Sequence, residues 1–363
     1  MQRPDSRQFN GDDSFIEPMS SMLEIADIKR NFSGMAAVRG VSFSVRAGEI
    51  TCLLGPSGCG KSTTLRMIAG IEQPDAGVIR IDGQVMSRGR DHVPPERRSI
   101  GMVFQDLALF PHMTIAENVG FGLSRMHKAD GRIGHLLERV GLPDHASKYP
   151  HQLSGGEQQR IALIRALATR PKVMLLDEPF SSLDQRLRVE MRELTRELLQ
   201  EAGAAVVLVT HDPEEAMLLA DRIAIMREGQ IKQEGTPLEL YDRPADLDVA
   251  QFFSDLNVVS GRVIRGMVET PFGILPAPGL ADGLDVDCAI RPEHVRVARS
   301  DGAVNAACVM HVYNLGKENL LEVFMPGSEQ RLRCCGTGYC PLSRGESVSV
   351  SLDPEKAMVF ARV

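Results

Sequence analysis

No stretch of this 363-residue sequence approaches the roughly 20 consecutive apolar residues that a bilayer-spanning helix needs. The first residues also lack the apolar core of a secretory signal, because they are polar and are interrupted by Pro4, Gly11 and Pro18. We therefore predict a disordered leader over residues 1–21. We expect the chain to stay in the cytoplasm unless a partner holds it at a membrane.

The sequence has no surplus of positive charge and no metal-binding cysteine pattern. Its formal net charge is −7, which argues against a general nucleic-acid binder because phosphate binding needs a basic surface. The cysteines number seven, and the cluster of Cys334, Cys335 and Cys340 lacks the histidine or second cysteine pair of a zinc site. We predict reduced thiols that bind no metal, and no nucleic-acid partner.

Residues 22–255 alternate short apolar runs with longer helical patterns, which is typical of an α/β fold. The runs carry no polar alternation, so we predict parallel strands that are covered on both faces. They occupy residues 50–54, 173–176, 206–209 and 223–226.

One of the helical patterns begins at Asp184, where apolar residues recur at spacings of four, three and four. This stripe comprises Leu187, Met191, Leu194 and Leu198. The charged residues between them, which include Arg188 and Arg192, are interpreted as a solvated face of the helix rather than as a binding site.

A different texture begins near Asn257, where short extended segments alternate with glycine and proline turns. We predict a small all-β domain over residues 256–363, either a barrel or a compact sandwich. Its predicted strands cover residues 258–268, 287–290, 295–298, 306–313, 319–324, 331–335 and 347–352.

The segment 55–63 follows a buried strand and opens a helix, which is the context of a phosphate-binding loop. The glycines allow backbone N–H groups to close around phosphates, and the helix N-terminus adds a positive dipole. Lys61 would reach the β and γ phosphates of ATP, and Ser62 would ligate Mg²⁺. The alternative, a glycine turn without a ligand, is disfavoured by the flanking strand and helix. The predicted nucleotide-binding residues of the loop are Gly55, Ser57, Gly58, Cys59, Gly60, Lys61, Ser62 and Thr63.

Three further polar positions follow predicted strands. Asp177 and Glu178 end one strand, so Asp177 would hold Mg²⁺ through water and Glu178 would deprotonate the attacking water. His211 ends the next strand and can reach the same edge, although a helix-capping or core histidine is the ordinary alternative. Gln105 ends a strand-like run, where its amide could touch Mg²⁺ or the water.

The stretch 153–160, Leu-Ser-Gly-Gly-Glu-Gln-Gln-Arg, offers a second anion-binding helix start. Ser154 and the exposed amides of Gly155 and Gly156 would form it. One nucleotide does not need two phosphate-binding helix starts that lie far apart in sequence. In two antiparallel copies of the chain both helix starts are needed, because each chain then closes over the ATP of the other.

In these motifs the chain resembles the ATP-binding subunits of ATP-binding cassette (ABC) importers for maltose, polyamines, ferric iron, sulfate and glycerol phosphate. The resemblance covers residues 22–255, and residues 291–294 (Arg-Pro-Glu-His) extend it to a small C-terminal β domain of the TOBE type. It implies a P-loop NTPase cassette with a helical insert at about residues 106–170, followed by an OB-like domain. It also implies that Asp184 links two ATP sites across a homodimer and that His211 contacts the γ phosphate.

The resemblance further implies that Phe32 stacks on adenine, with a core phenylalanine as the alternative. The partners it implies are integral-membrane permease subunits and, indirectly, a periplasmic solute-binding protein. The chain would then be a translocase ATPase on the cytoplasmic face of the inner membrane. The apolar segment 107–113 is interpreted as a contact with the permease, with core packing as the alternative.

The cargo is not encoded in the cassette, which never touches it. The C-terminal sequence most resembles ferric-iron importers, with polyamine importers as the runner-up. A soluble ABC ATPase outside transport is the alternative of another class, but such proteins usually carry two cassettes, a long coiled coil or zinc cysteines, which this chain lacks.

Overall fold

The structure is a computed structural model, and it describes residues 21–124, 131–270, 273–300, 307–325 and 331–362. The predicted leader therefore lies outside the described residues except for its last position. The chain forms two compact units, one ending at Ile231 and the other beginning at Lys232. The boundary predicted between residues 255 and 256 rests on the change to short extended segments with glycine and proline turns, and it stays a prediction.

The first unit contains an antiparallel sheet with the strand order β2-β1-β4-β5-β6. The strands are β1 (Leu23–Phe32), β2 (Met35–Val45), β4 (Ala76–Ile81), β5 (Gln84–Arg88) and β6 (Asp91–His92). Alternation of buried and exposed residues along β2 shows that one face of this sheet packs on the core.

A second sheet has the order β11-β10-β3-β9-β8-β7, and its strands from β10 to β7 run parallel. The strands are β3 (Ile50–Leu54), β7 (Ile100–Val103), β8 (Val173–Asp177), β9 (Ala205–Thr210), β10 (Arg222–Arg227) and β11 (Gln230–Gly235). Every residue of β3, β8 and β9 is buried, which confirms the predicted central strands and their covered faces. Since the strands are parallel, their carboxyl ends share one edge of the sheet.

The helices of the first unit connect these strands. They are α1 (Lys61–Ala69), α2 (Ile115–Val119), α3 (Arg132–Arg139), α4 (Gly155–Ala168), α5 (Gln185–Ala202) and α6 (Pro213–Leu219). Leu65 and Ile68 of α1 share one buried cluster with residues of both sheets. Helix α5 starts after its N-cap Asp184, as predicted. However, Arg192 on this helix is only 4% exposed, so the prediction of a fully solvated charged face is wrong for this residue.

The second unit begins with α7 (Pro237–Asp242) and α8 (Leu247–Phe253) and then forms two five-stranded sheets. One sheet has the order β14-β13-β12-β15-β21 and the other β16-β20-β17-β18-β19. Their strands are β12 (Asn257–Ile264), β13 (Met267–Thr270), β14 (Gly273–Pro276), β15 (Asp285–Ile290), β16 (Val295–Arg299), β17 (Ala307–Asn314), β18 (Glu318–Phe324), β19 (Arg331–Thr337), β20 (Ser347–Leu352) and β21 (Met358–Ala361). The all-β prediction for this part is confirmed.

The strand predictions for this unit contain one error and two omissions. The segment 258–268 is not one strand, because Arg265 and Gly266 have φ values of 54° and 71° and turn the chain into a β12–β13 hairpin. Strands β14 and β21 were not predicted. Residue 306, the predicted first residue of β17, lies outside the described residues.

None of the helices formed by described residues combines the length and apolarity that crossing a bilayer requires.

Candidate active site

The phosphate-loop segment bridges the end of β3 and the start of α1, as the sequence predicts. Gly60 is the N-cap of α1 with a φ of 105°, and a Cβ there would lie 2.4 Å from the Ala37 carbonyl oxygen. A Cβ on Gly55 would lie 2.2 Å from the Met226 carbonyl oxygen. Both positions therefore require glycine. Ser57 and Gly58 are exposed at the tip of the loop, and Thr63 is half-buried on the first turn of the helix.

Lys61 is 4% exposed and is turned back on its own loop. Its Nζ donates to the carbonyl oxygens of Gly55 at 2.7 Å and Pro56 at 2.9 Å. The ammonium group therefore lies inside the curve of the loop. Helix α1 has no side-chain cap and no acidic residue in its first turn, so the amide groups at its start are not neutralised by the chain itself.

Cys59 lies within this loop and is 5% exposed. A helix N-terminus beside a thiol generally lowers its pKa. Instead burial raises the pKa, and the nearby Lys61 ammonium opposes that rise only in part. At Cys59 the loss of solvent therefore outweighs the local positive charge.

Ser62 and Asp177 meet at the carboxyl edge of the parallel sheet. The Ser62 Oγ donates to the Asp177 Oδ1 at 2.9 Å. Asp177 ends β8 and is 6% exposed, and this burial raises the pKa of its carboxyl group. The two predicted metal-binding oxygens are thus adjacent.

Glu178 and His211 form the second pair at this edge. The distance from His211 Nδ1 to Glu178 Oε2 is 3.2 Å. The side chain of Glu178 is 17% exposed and that of His211 53% exposed, so the capping and core alternatives for His211 do not describe its place. Glu178 has a φ of 46°, in the left-handed region that non-glycine residues rarely adopt. Such strain is typical of functional sites.

Ser154 begins α4 in a different way. Its Oγ accepts from the Glu157 backbone N–H, while the Glu157 carboxylate accepts from the Ser154 backbone N–H at 2.7 Å and from its Oγ at 2.8 Å. This is a complete capping box, and the pattern Ser-x-x-Glu could have revealed it from the sequence. Gly155 is exposed and Gly156 is buried beside Leu187. In the described part of the chain, no hydrogen bond or ion pair joins these three residues to the phosphate loop.

The remaining predicted residues are exposed and lie apart from these pairs. Phe32 is 40% exposed at the end of β1, with the Arg30 guanidinium 4.8 Å from its ring centroid, so the core alternative for Phe32 is wrong. Gln105 is exposed two residues after the end of β7 at Val103, and within the described ranges it makes no bond to Ser62, Asp177 or Glu178. Asp184 is exposed, and its carboxylate accepts from the N–H groups of Arg186 and Leu187.

The apolar segment after Gln105 is held against α4. Arg165 donates to the carbonyl oxygens of Leu107 at 2.8 Å and Ala108 at 2.6 Å, and both of those residues have positive φ. The Phe110 ring lies 4.5 Å from that of Phe121, which is 56% exposed. The segment is therefore partly packed, and its neighbour Phe121 exposes an apolar ring beside it.

A cluster of charged residues that the sequence did not reveal lies next to the turn that carries His211. It comprises Arg192, Asp212 and Glu215. Arg192 Nη2 is 3.0 Å from Asp212 Oδ2 and 3.3 Å from Glu215 Oε1. The only signal in the sequence was the run of acidic residues after His211, which is also typical of a helix N-terminus.

Comparisons with known proteins match both parts of the chain. Residues 38–181 match the ABC transporter family and residues 288–360 the TOBE domain. The chain is 42% identical over 337 residues to a ferric-iron import ATP-binding protein of Rhodococcus jostii, covering 92% of this chain and 97% of that protein. It is 42% identical over 325 residues to a putrescine transport ATP-binding protein of Escherichia coli, covering 84% and 85%.

Among solved structures, the chain is similar to a dimeric ATP-binding cassette in a post-hydrolysis state with bound ADP and phosphate. The TM-score is 0.53 and the identity 31%, and the match covers 60% of this chain and 99% of that one.

Proposed function

Because the chain belongs to the family of ATP-binding subunits of ABC importers, we propose that it powers ferric-iron import, with Glu178 as the base of its ATPase reaction. Such a subunit binds ATP and couples its hydrolysis to transport. The observation that carries the proposal is the meeting of the Ser62–Asp177 and Glu178–His211 pairs at one sheet edge, next to the phosphate loop.

The roles of the residues follow from their places. Lys61 leaves the loop carbonyls and donates to the β and γ phosphates, where its charge stabilises both substrate and transition state. Glu178 accepts a proton from the attacking water. His211 donates to the γ phosphate and holds the Glu178 carboxylate in place through the 3.2 Å contact. Phe32 offers an exposed ring for the adenine.

Mg²⁺ fits this arrangement, because a serine hydroxyl and one carboxylate leave positions for phosphate oxygens and water. Among the described residues no group of three or more His, Cys, Asp or Glu is arranged to hold a metal. Ser62 and, through water, Asp177 would hold Mg²⁺ together with its substrate, and Gln105 would touch the ion or its water only after its segment moves toward them. When bound, the ion would neutralise charge that develops on the phosphates.

Ser154, Gly155 and Gly156 serve the ATP of a second copy of the chain, with Asp184 at the contact. The supporting observation is that these residues, of which Ser154 and Gly155 are exposed and Gly156 is buried, make no bond to their own phosphate loop within the described ranges. The segment 107–113 would contact an integral-membrane permease at the cytoplasmic face of the inner membrane, with a periplasmic solute-binding protein delivering the cargo. The exposed Phe121 beside Phe110 supports that surface.

The cargo proposal rests on the ferric-iron relative, which matches nearly its whole length. It is tested by deleting the gene in its own organism and measuring uptake of radiolabelled ferric iron and of radiolabelled putrescine. We expect iron uptake alone to fall, and to be restored by the wild-type gene but not by Glu178→Gln. Loss of putrescine uptake with iron uptake intact would replace iron by a polyamine. If neither uptake changed, both cargoes would be wrong.

A further inference from the structure

The buried charges behind His211 are an unusual feature of the first unit. The side chains of Arg192 and Glu215 are each only 5% exposed. Arg192 also lies 3.4 Å from Glu214 Oε1, which is well exposed. Replacing a buried ion pair by apolar residues of similar volume is often neutral or stabilising. Stability alone therefore does not explain why these charges are buried here.

The cluster fixes the backbone on both sides of His211. Thr210 Oγ1 donates to Glu215 Oε2 at 2.6 Å and accepts from the Asp212 N–H at 3.0 Å. The Asp212 carboxylate in turn accepts from Arg192. The residues before and after His211 are thus both bonded into the cluster, while the imidazole between them stays exposed and faces Glu178.

The same cluster reaches the start of α5. Arg188 lies one turn before Arg192, and its Nη1 is 3.8 Å from Asp212 Oδ2. Its Nη2 donates to the Leu183 carbonyl oxygen at 3.0 Å, immediately before Asp184. A cavity of about 50 Å³ is lined by the Glu178 and His211 side chains together with Arg188, Asp212 and Glu215. The cluster is therefore continuous with the reacting pair on one side and with the Asp184 cap on the other.

We propose that Arg192, with Asp212 and Glu215, is a positioning residue that holds the turn carrying His211 against the helix that begins at Asp184. This inference rests on the proposed role of His211 in hydrolysis.

The test uses the full chain and the double variant Arg192→Met/Glu215→Gln, which removes both buried charges and avoids leaving one unpaired. We expect a thermal midpoint close to that of the wild type, a KM for ATP within about twofold, and kcat lower by about ten- to a hundredfold, as expected for a misplaced group. Arg196→Met is the matched control. Arg196 lies one turn further along α5, and among the residues that the structure describes it donates only to the Leu218 carbonyl oxygen. The kcat of Arg196→Met should therefore not change.

The background variant His211→Ala separates positioning from general damage. Single-turnover measurement with labelled ATP, which detects very slow hydrolysis, should show no further loss when the double variant is added to His211→Ala. Amide hydrogen exchange at residues 210–212 should quicken in the double variant and not in Arg196→Met. An equal fold-loss of kcat in both backgrounds, or unchanged kcat and exchange in the folded double variant, would overturn the proposal. If His211→Ala itself hydrolyses ATP at the wild-type rate, the proposed function of His211 fails instead.

Discussion

The chain carries two helix starts suited to phosphate, at α1 and at α4, and it builds them in opposite ways. Helix α1 begins at a left-handed glycine without a side-chain cap, so its amides remain available and Lys61 lies beside them. Helix α4 begins at Ser154, whose hydroxyl and backbone N–H are both bonded to Glu157. The Ser154 N–H is the main reason that the pKa of the Glu157 carboxyl is lowered.

We interpret this difference as a sign that the two helix starts serve different ATP sites. The start of α1 lies at the edge of its own sheet and binds the ATP of its own chain, according to our proposal. At the exposed start of α4 the polar groups of Ser154 are satisfied by Glu157 within the same chain. According to the same proposal, a second chain brings the phosphate that this helix start binds. The following variants test that distinction.

The largest effect is expected from Glu178→Gln, which removes the base and leaves both helix starts intact. Its kcat should fall by about two to four orders of magnitude, while ATP binding is kept. ATP should then trap a dimer that light scattering or native mass detects. Hydrolysis by the wild type should rise more steeply than linearly with protein concentration until dimers saturate. A strictly linear dependence together with a monomeric mass for Glu178→Gln in ATP would refute the shared site.

The ATP affinities of Lys61→Ala and Ser154→Ala should differ, because the two residues lie at different helix starts. Loss of a hydrogen bond from the lysine charge should weaken ATP binding to the subunit by about ten- to a hundredfold. Calorimetry should show that the Ser154→Ala monomer binds ATP with wild-type affinity. According to our proposal, the Ser154 hydroxyl contacts the ATP that is bound to the other chain. Equal affinities for Lys61→Ala and the wild type would contradict the phosphate-loop assignment.

Gly60→Ala and Gly155→Ala compare the backbone demands of the two starts. An alanine at position 60 must adopt a φ of 105° with its Cβ against a carbonyl oxygen, so unfolding free energy should fall by about 1–3 kcal/mol. Position 155 is helical and has no atom within 4 Å of an added Cβ. There alanine should be neutral or should stabilise by up to about 1 kcal/mol. Chemical denaturation of both variants measures the difference.

The smallest effect concerns Cys59, the thiol inside the α1 start. Because burial raises its pKa, the thiolate fraction at neutral pH is lower than that of an exposed cysteine. Alkylation should therefore be slow at pH 7 and should still be accelerating at pH 9, and saturating ATP should slow it. Peptide mass spectrometry measures the rate at which Cys59 is alkylated. An alkylation rate that is the same with and without ATP would place Cys59 away from the nucleotide.

Much of this site could be predicted from the sequence because its parts are local. A strand, a glycine loop and a helix stand in order around Lys61, and polar residues directly follow the strands that end at Asp177 and Thr210. Parallel pairing then brings those ends together. The hidden parts depend on contacts that no local pattern encodes.

Arg192 illustrates this limit. Helical periodicity assigned it to a polar face, but α6 folds over that face and buries it against Asp212 and Glu215. The hairpin at Arg265 and Gly266 was missed for another reason, since arginine rarely adopts the positive φ that this turn requires. The inward turn of Lys61 onto its own loop is a matter of side-chain conformation, which spacing does not determine.

The left-handed backbone of Glu178 has a consequence for how such a chain can change over time. Any residue with a side chain bears that conformational cost of about 1–2 kcal/mol, and only glycine escapes it. The substitution Glu178→Gly would remove this conformational cost from the folded state. The extra backbone entropy of glycine in the unfolded state would cancel about 0.5–1 kcal/mol of that gain. Selection for robustness alone would therefore favour losing the carboxylate. The retention of a glutamate at this strained position indicates that its carboxylate serves function rather than stability.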